Sequence, residues 1–432
     1  MKDSPDIENG AQGGGHVPLW QRTPANDTSN DRALRDRALR DTVEQTVDIA
    51  ILGGGVAGTS CAYHAASRGL SVALLEARHL AARASGRNDG QILLGLGEHY
   101  NRLIGQWGAR DAEALWNFID DNHEGMLAVI EEQSLACAAT RRGGLRLAEA
   151  EPEAAELRES TELLADMGVP ARYLDASEVA EALPLSRGFV GGLFLEREAI
   201  FDPFAFVNEL AMRARDRGAR VREACTVTAI EGDAGGFRIR CADESEIEAT
   251  VLVHATSALA PELDRSGFLG RTIFPFRGQI LATHPLPAEV CRAMPPWAMS
   301  SNFCYEYFRM HEDRLTLGGM RWAVPGEETG IVDDSTVHDG VTARLEGWLE
   351  AHFPAIARAG TAMSWTGIMA GTRDGLPLVG GIPGRPGEYA CAAFNGYGMS
   401  FAFAAGATIV DLIESGRSER PAATMFRPSR FA

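Results

Sequence analysis

The chain has 432 residues, of which 45% are hydrophobic and 23% charged, with a formal net charge of −18. That length exceeds one ordinary core and the balance is that of a globular protein, so two or three domains are expected. The acidity excludes a nucleic-acid backbone as partner, because such binders carry basic patches; it is compatible with a cationic ligand, and equally with plain solubility.

The seven cysteines (61, 137, 225, 241, 291, 304 and 391) are scattered, odd in number and without a CxxC spacing. Neither a metal site nor a disulfide framework is predicted, and reduced thiols in a cytoplasm fit best. No signal-peptide-like run opens the chain, and no uninterrupted apolar stretch is long enough to span a membrane. Lys2 is the only lysine; every other basic residue is arginine. Chemistry that needs a buried lysine, such as a pyridoxal-phosphate Schiff base, is excluded.

Residues 1–45 are polar and contain the repeat Asp31-Arg-Ala-Leu-Arg35, Asp36-Arg-Ala-Leu-Arg40. They are predicted to form a disordered or partly helical, solvated tail. The run Val47-Asp-Ile-Ala-Ile-Leu-Gly53-Gly-Gly55-Val-Ala-Gly58 then predicts a buried strand, a glycine turn and a helix. Gly53 permits the turn, Gly55 lets a pyrophosphate approach the backbone, and Gly58 lets the helix lie close to the sheet. The helix N-terminus offers free N–H groups to phosphate. Ser71-Val-Ala-Leu-Leu-Glu76 supplies the next strand and, about 20 residues after the glycines, the acid that hydrogen-bonds a ribose hydroxyl. Together these features predict a dinucleotide site.

Beyond it, near-helical recurrence of Leu115, Trp116, Ile119, Met126, Leu127 and Ile130 predicts two helices between Ala109 and Cys137. A strand is expected at 143–148, an acidic surface helix at 149–166 and a strand at 191–195. Asp202 caps a helix whose first-turn residue is Pro203 and which runs to Arg217. Strands are expected at 221–230, 236–241 and 249–254, followed by a strand-rich stretch over 272–322. A helix at 341–352, a last buried strand at 389–394 and an apolar helix at 400–413 complete the series. The alternation predicts an α/β protein. A Rossmann-like dinucleotide domain is built from 46–110, 195–275 and 355–425, and a strand-rich α+β substrate domain from 111–194 and 276–354, both discontinuous in sequence.

Four separated blocks carry a resemblance: Ile51 to Gly58 with Glu76; Ala84-Ser-Gly-Arg-Asn-Asp-Gly-Gln91; Asp202-Pro203 through Gly218-Ala-Arg-Val221 and then Val251 to Thr256; and Trp365 to Leu378 with Phe394-Asn-Gly-Tyr-Gly-Met399. They resemble the FAD-dependent amine and amino-acid oxidoreductases of the D-amino-acid, glycine and sarcosine oxidase family. The second block is most similar to the γ-glutamylputrescine-oxidase-like branch, where the position of Asp89 is usually glycine. The resemblance implies FAD held by Gly53, Gly55, Val56, Ala57, Gly58, Glu76, Ala77, Arg78, Ser85, Gly86, Arg87, Asn88, Gly90, Gln91, Val227, Thr256, Gly371, Asn395, Gly396, Tyr397, Gly398 and Met399. Gly367 stands where some members attach the flavin through cysteine, which implies non-covalent FAD here.

The resemblance also implies a substrate cavity against the flavin. Tyr305, Tyr307 and Arg309 alternate along 302–310, which puts them on one face of a strand, and Tyr305 matches a substrate-facing tyrosine of glycine-oxidase-like members. Amino-acid-oxidising relatives often bind the substrate carboxylate with an arginine at the position of Met369. Methionine cannot pair with an anion, so either Arg309 or Arg321 substitutes or the substrate lacks an α-carboxylate; the second is the preferred reading. The implied reaction is hydride transfer from an amine or N-substituted amine to the flavin, giving an imine that hydrolyses. Desolvation frees the amine of its proton, with His254 and His311 as weaker candidates for a base. Oxygen or another electron acceptor follows; without a lysine near the flavin, oxidase and dehydrogenase both stay open, as does the oligomeric state. Three alternatives are an FAD-dependent amino-acid oxidase or dehydrogenase, an NAD(P)-linked oxidoreductase sharing only the opening fingerprint, and a non-catalytic flavin-binding subunit.

Overall fold

A computed structural model describes residues 17–22 and 46–432; the repeat at 31–40 lies outside them. The strand Thr46–Leu52 is buried from Ile49 onward because it has a parallel neighbour on each side, Glu246–His254 and Val72–Leu75. Its β-branched and aliphatic run is what a strand covered on both faces requires. The helix Val56–Ser67 makes the first crossover. Outward from Val72–Leu75 lies Arg220–Arg222; outward from Glu246–His254 lie Gly236–Cys241 and Val227–Asp233. The long strand Glu246–His254 forks: its first half pairs with Gly236–Cys241 and its end with Glu388–Ala392, which in turn pairs with Leu378–Gly381.

The second sheet also has eight strands, in the order Thr361–Gly371, Phe274–Thr283, Arg314–Gly318, Glu306–His311, Ala298–Ser301, Gly144–Ala148, Gly191–Leu195 and Ala171–Asp175. The strand Thr361–Gly371 pairs with Phe274–Thr283 along its whole length, from Phe274 opposite Gly371 to Thr283 opposite Thr361. The strand Thr361–Gly371, expected within the dinucleotide domain, belongs to the second sheet.

Two further expectations are corrected. The segment after Gly108 is one helix, Ala109–Glu132, with Leu115, Trp116, Ile119 and Met126 all on its buried face. The run expected as one strand at 221–230 is two. Arg220–Arg222 pairs with the nucleotide strands, and Val227–Asp233 starts a hairpin after Ala224 turns the chain at φ 53°.

The helix Gly398–Ser415 is long and apolar enough to cross a membrane, but residues 399–410 are buried inside the protein, packed on Val56–Ser67 and Ala109–Glu132. Its composition is that of a core helix. A Cβ at Gly406 would lie 2.7 Å from the backbone nitrogen of Cys61. Gly406→Ala is therefore expected to force the two helices apart and destabilise the protein by about 1–3 kcal/mol, measured by denaturant unfolding with flavin bound.

The described part of the tail departs from the expectation of a solvated arm. Leu19–Arg22 is a short 3-10 turn, and Trp20 is fully buried. The Trp20 indole N–H donates to the Gly86 carbonyl at 3.0 Å, and its ring stands edge-on to Trp365 at 5.7 Å and to His311 at 5.3 Å. The Gln21 amide donates to the same Gly86 carbonyl at 3.0 Å and to that of Ala81 at 3.4 Å. The buried Trp20, with a partner for its N–H, and Leu19 packed on the core anchor this segment.

Candidate functional site

Where the first strand ends, Gly53 turns the chain at φ 104°, and a Cβ there would lie 2.7 Å from the Ala255 carbonyl oxygen. The following helix starts so close to this turn that a Cβ at Gly58 would lie 1.9 Å from the Gly53 oxygen. Glu76, at the end of the next strand, is held by both carboxylate oxygens: one accepts from Gly54 N–H at 2.7 Å, the other from Arg78 N–H at 2.8 Å. The loop 80–91 crosses in front of the helix, and the Ser85 hydroxyl accepts from Val56 N–H at 3.0 Å.

A single cavity opens at the carboxyl ends of these strands, at Leu52 and Leu75, where open α/β sheets bind ligands. It continues to the second sheet, where Phe276, Gly278, Tyr307 and Met369 close it. Every residue expected to hold the cofactor lines it except Gly58, Gly86, Gly90 and Gly371. Those four are packing positions. A Cβ would meet backbone oxygen at Gly58, Gly86 (Ala81, 2.3 Å) and Gly90 (Phe201, 2.2 Å), and the Asn395 amide oxygen at Gly371 (2.8 Å). The cavity fits an extended dinucleotide. It runs between the ribose-type acid and the second sheet, and the buried Thr256 hydroxyl on its wall has no partner among the described residues.

The substrate residues divide. Tyr305 is half-exposed and sits in a turn, after Asn302, Phe303 and Cys304 have all adopted left-handed backbone; the strand begins only at Glu306. Tyr307 and Met369 line the cavity as expected, and burial raises the Tyr307 phenol's pKa. Arg309 is placed away from the cavity, which corrects the expectation. It shares the strand face, but the loop 88–90 lies between it and the open space. Its Nε donates to the Asp89 carbonyl and its Nη2 to the Phe201 carbonyl at 2.9 Å, with Trp20 stacked 5.6 Å away. Burial lowers its pKa to about 10. Arg321 does line the cavity, stacked on Phe276 at 4.6 Å, and donates to the Glu327 carbonyl at 2.9 Å.

Neither histidine lines the cavity. His254 is buried beside Glu388 at 3.3 Å, a carboxylate that also pairs with Arg265 at 2.6 Å. His311 lies under Trp20, and burial lowers its pKa to about 4.

The sequence reading missed Asp89 as a site residue. Its carboxylate is buried on the cavity wall and accepts from the Gln91 amide at 2.5 Å. Burial pushes its pKa up to about 6 against the opposing charge of Arg309. Gln91 is itself fixed by the Met299 and Phe308 carbonyls, each at 3.2 Å. The available signal was an acid at a position that is usually glycine in a glycine-rich loop. At the other end of the cavity, Cys225 and Cys241 approach to 2.7 Å between sulfurs, with Asp243 close by. Hairpin geometry brings them together, and no CxxC spacing announces it.

Comparison with known proteins agrees with this geometry. The family described as FAD dependent oxidoreductase (DAO) matches residues 48–412. The chain is 26% identical over 373 residues to the probable oxidoreductase OrdL of Haemophilus influenzae, covering 85% of this chain and 82% of that protein. It is 25% identical over 387 residues to the gamma-glutamylputrescine oxidoreductase of Escherichia coli K12, covering 88% and 87%. The crystal structure of glycine oxidase from Geobacillus kaustophilus shares the fold, with a TM-score of 0.75 at 21% identity over 89% of this chain and 99% of that one.

Proposed function

This chain belongs to the FAD dependent oxidoreductase family and is a flavoenzyme of the amine and amino-acid oxidase type, and we propose that it oxidises a C–N bond of an amine or N-substituted amine. The observation that carries this reading is the charge at the substrate end of the cavity. Met369 offers no partner to a carboxylate. The Arg309 fork is engaged by backbone carbonyls outside the cavity, and Arg321 is held by Glu327 at 3.6 Å. A simple α-amino acid would bring a carboxylate to a wall that carries a carboxylate of its own, Asp89.

FAD, when bound, supplies the hydride acceptor. The protein's contribution is placement and dryness. Tyr307, Met369 and Phe276 wall the second-sheet end of the cavity, and excluding water there lowers an ammonium's pKa, so the neutral amine becomes accessible. An acceptor, oxygen or another, would be needed to take up the electrons.

The test is anaerobic bleaching of the flavin across primary amines, N-methylated amines and small α-amino acids. Amines are expected to bleach it; α-amino acids that do so far faster would overturn the reading. Met369→Arg is expected to shift the preference toward α-amino acids by tenfold or more. A guanidinium fork on carboxylate is worth about 1.5–3 kcal/mol, and the ratio of flavin-reduction rates for matched amine and amino acid measures it.

A further inference from the structure

We infer that Asp89 is the substrate-recognising carboxylate of this enzyme: with the aromatic side chains that share its cavity, it binds the substrate as an ammonium ion and so selects cations over neutral ligands. The inference deepens the amine reading above and rests on it.

Three observations lead here. First, Asp89 is 7% exposed, and what remains open faces the cavity. A buried carboxylate whose nearby cation, Arg309, makes no direct ion pair with it is costly, so such a site favours a ligand that pairs with it. Second, among the described residues no cationic side chain lies within ion-pair distance of this carboxylate. Gln91 is its side-chain partner, and the nearby Arg309 donates to the Asp89 main-chain carbonyl instead. Arg309 thus fixes the loop and steadies the carboxylate at a distance, leaving the carboxylate available. Third, the same cavity is walled by Phe276, Tyr305, Tyr307, Phe394 and Tyr397, rings whose faces attract an alkylammonium.

The other acids on the cavity wall lie elsewhere. Glu76 is held by Gly54 and Arg78 at the ribose end, and Glu262 belongs to the helix Ala260–Leu263 that follows the first sheet. Asp89 is therefore the acid of the second-sheet end. Gln91, tied to two strand carbonyls, sets its rotamer and acts as a positioning residue. Binding as the cation precedes loss of the proton, which passes to the Asp89 carboxylate that holds the ammonium.

The experiment uses the FAD-loaded full chain at pH 8 with n-butylamine and 1-butanol as probes. Binding is read from the flavin difference spectrum or, where the amine reduces the flavin, from saturation of the anaerobic reduction rate. The native protein is expected to bind the amine at least tenfold more tightly than the alcohol. Asp89→Asn is expected to weaken the amine by about tenfold to a hundredfold, the range of a charge-assisted hydrogen bond, while leaving the alcohol within about twofold. Asp89→Gly, which keeps the carbonyl that Arg309 binds, is expected to behave as Asp89→Asn does and decides the matter if the asparagine variant loses flavin. Unchanged amine affinity in flavin-loaded variants overturns the inference. So does a native protein that fails to separate amine from alcohol, or loss of flavin from both variants, which would make Asp89 a scaffold residue. Alanine reducing native flavin far better than butylamine would instead sink the amine reading itself.

Discussion

Gly58→Ala is expected to yield folded protein that holds FAD more weakly. The added methyl would lie 1.9 Å from the Gly53 carbonyl oxygen and 3.1 Å from its carbon, and both are backbone atoms of a turn that has no room to retreat. Gly53 is itself wedged against the Ala255 carbonyl. The helix Val56–Ser67 must therefore back away from the sheet, and its N-terminal N–H groups, which should face the pyrophosphate, move with it. Overpacking of this kind costs about 1–3 kcal/mol or more, and the cost falls on the binding geometry. Flavin affinity is expected to drop about fivefold to a hundred-and-fifty-fold, read from the 450 nm absorbance that survives gel filtration. A yellow G58A protein with native affinity would refute the close approach.

Trp20→Ala is expected to be the most destabilising change outside the nucleotide fingerprint. The indole is fully buried between Trp365, His311 and Arg309, and removing it leaves a cavity worth about 3–5 kcal/mol. It also frees the Gly86 carbonyl from one of its two side-chain donors. Gly86 sits in the loop whose Ser85, Arg87 and Asn88 line the cavity, so FAD retention is expected to weaken together with stability. Trp20→Phe keeps most of the packing and loses the N–H, so about 1 kcal/mol is expected. Denaturant unfolding and FAD titration of the two variants separate packing from the hydrogen bond. An alanine variant as stable as the native chain would show that the segment is not anchored as described.

The comparison between sequence and structure follows the range of the forces involved. The turn at Gly53 and the Asp202 cap, which accepts from Ala205 N–H at 2.9 Å, are decided by residues within a few positions, and Glu76 by its spacing from Gly54, 22 residues earlier; each was legible. Trp20 was not, because the partners that bury it are Gly86, His311 and Trp365, far away in the chain. Period-two alternation placed Tyr307 and Arg309 on one strand face correctly. It carried no information about the loop 88–90, which covers Arg309 and leaves Tyr307 open. The stretch 221–230 reads as one β-rich run, yet Arg220–Arg222 and Val227–Asp233 take different partners, and a change of partner leaves no mark on hydrophobicity. Asp89 was visible only as a break in a glycine loop; that it faces a cavity is a tertiary fact.

The interleaving of the two sheets bears on how the molecule is made. Thr46 is partnered by Glu248, about two hundred residues later, and Leu252 in turn waits for Glu388. At ribosomal speeds of about 5–20 residues per second, the opening strand emerges roughly 10–40 s before its neighbour exists. For that interval Ile49 to Leu52, paired on one side with Val72–Leu75, keep an open edge on the other, and open strand edges seed aggregation. Holdase chaperones, and flavin supplied early, would matter more to its yield in a cell than its final stability does.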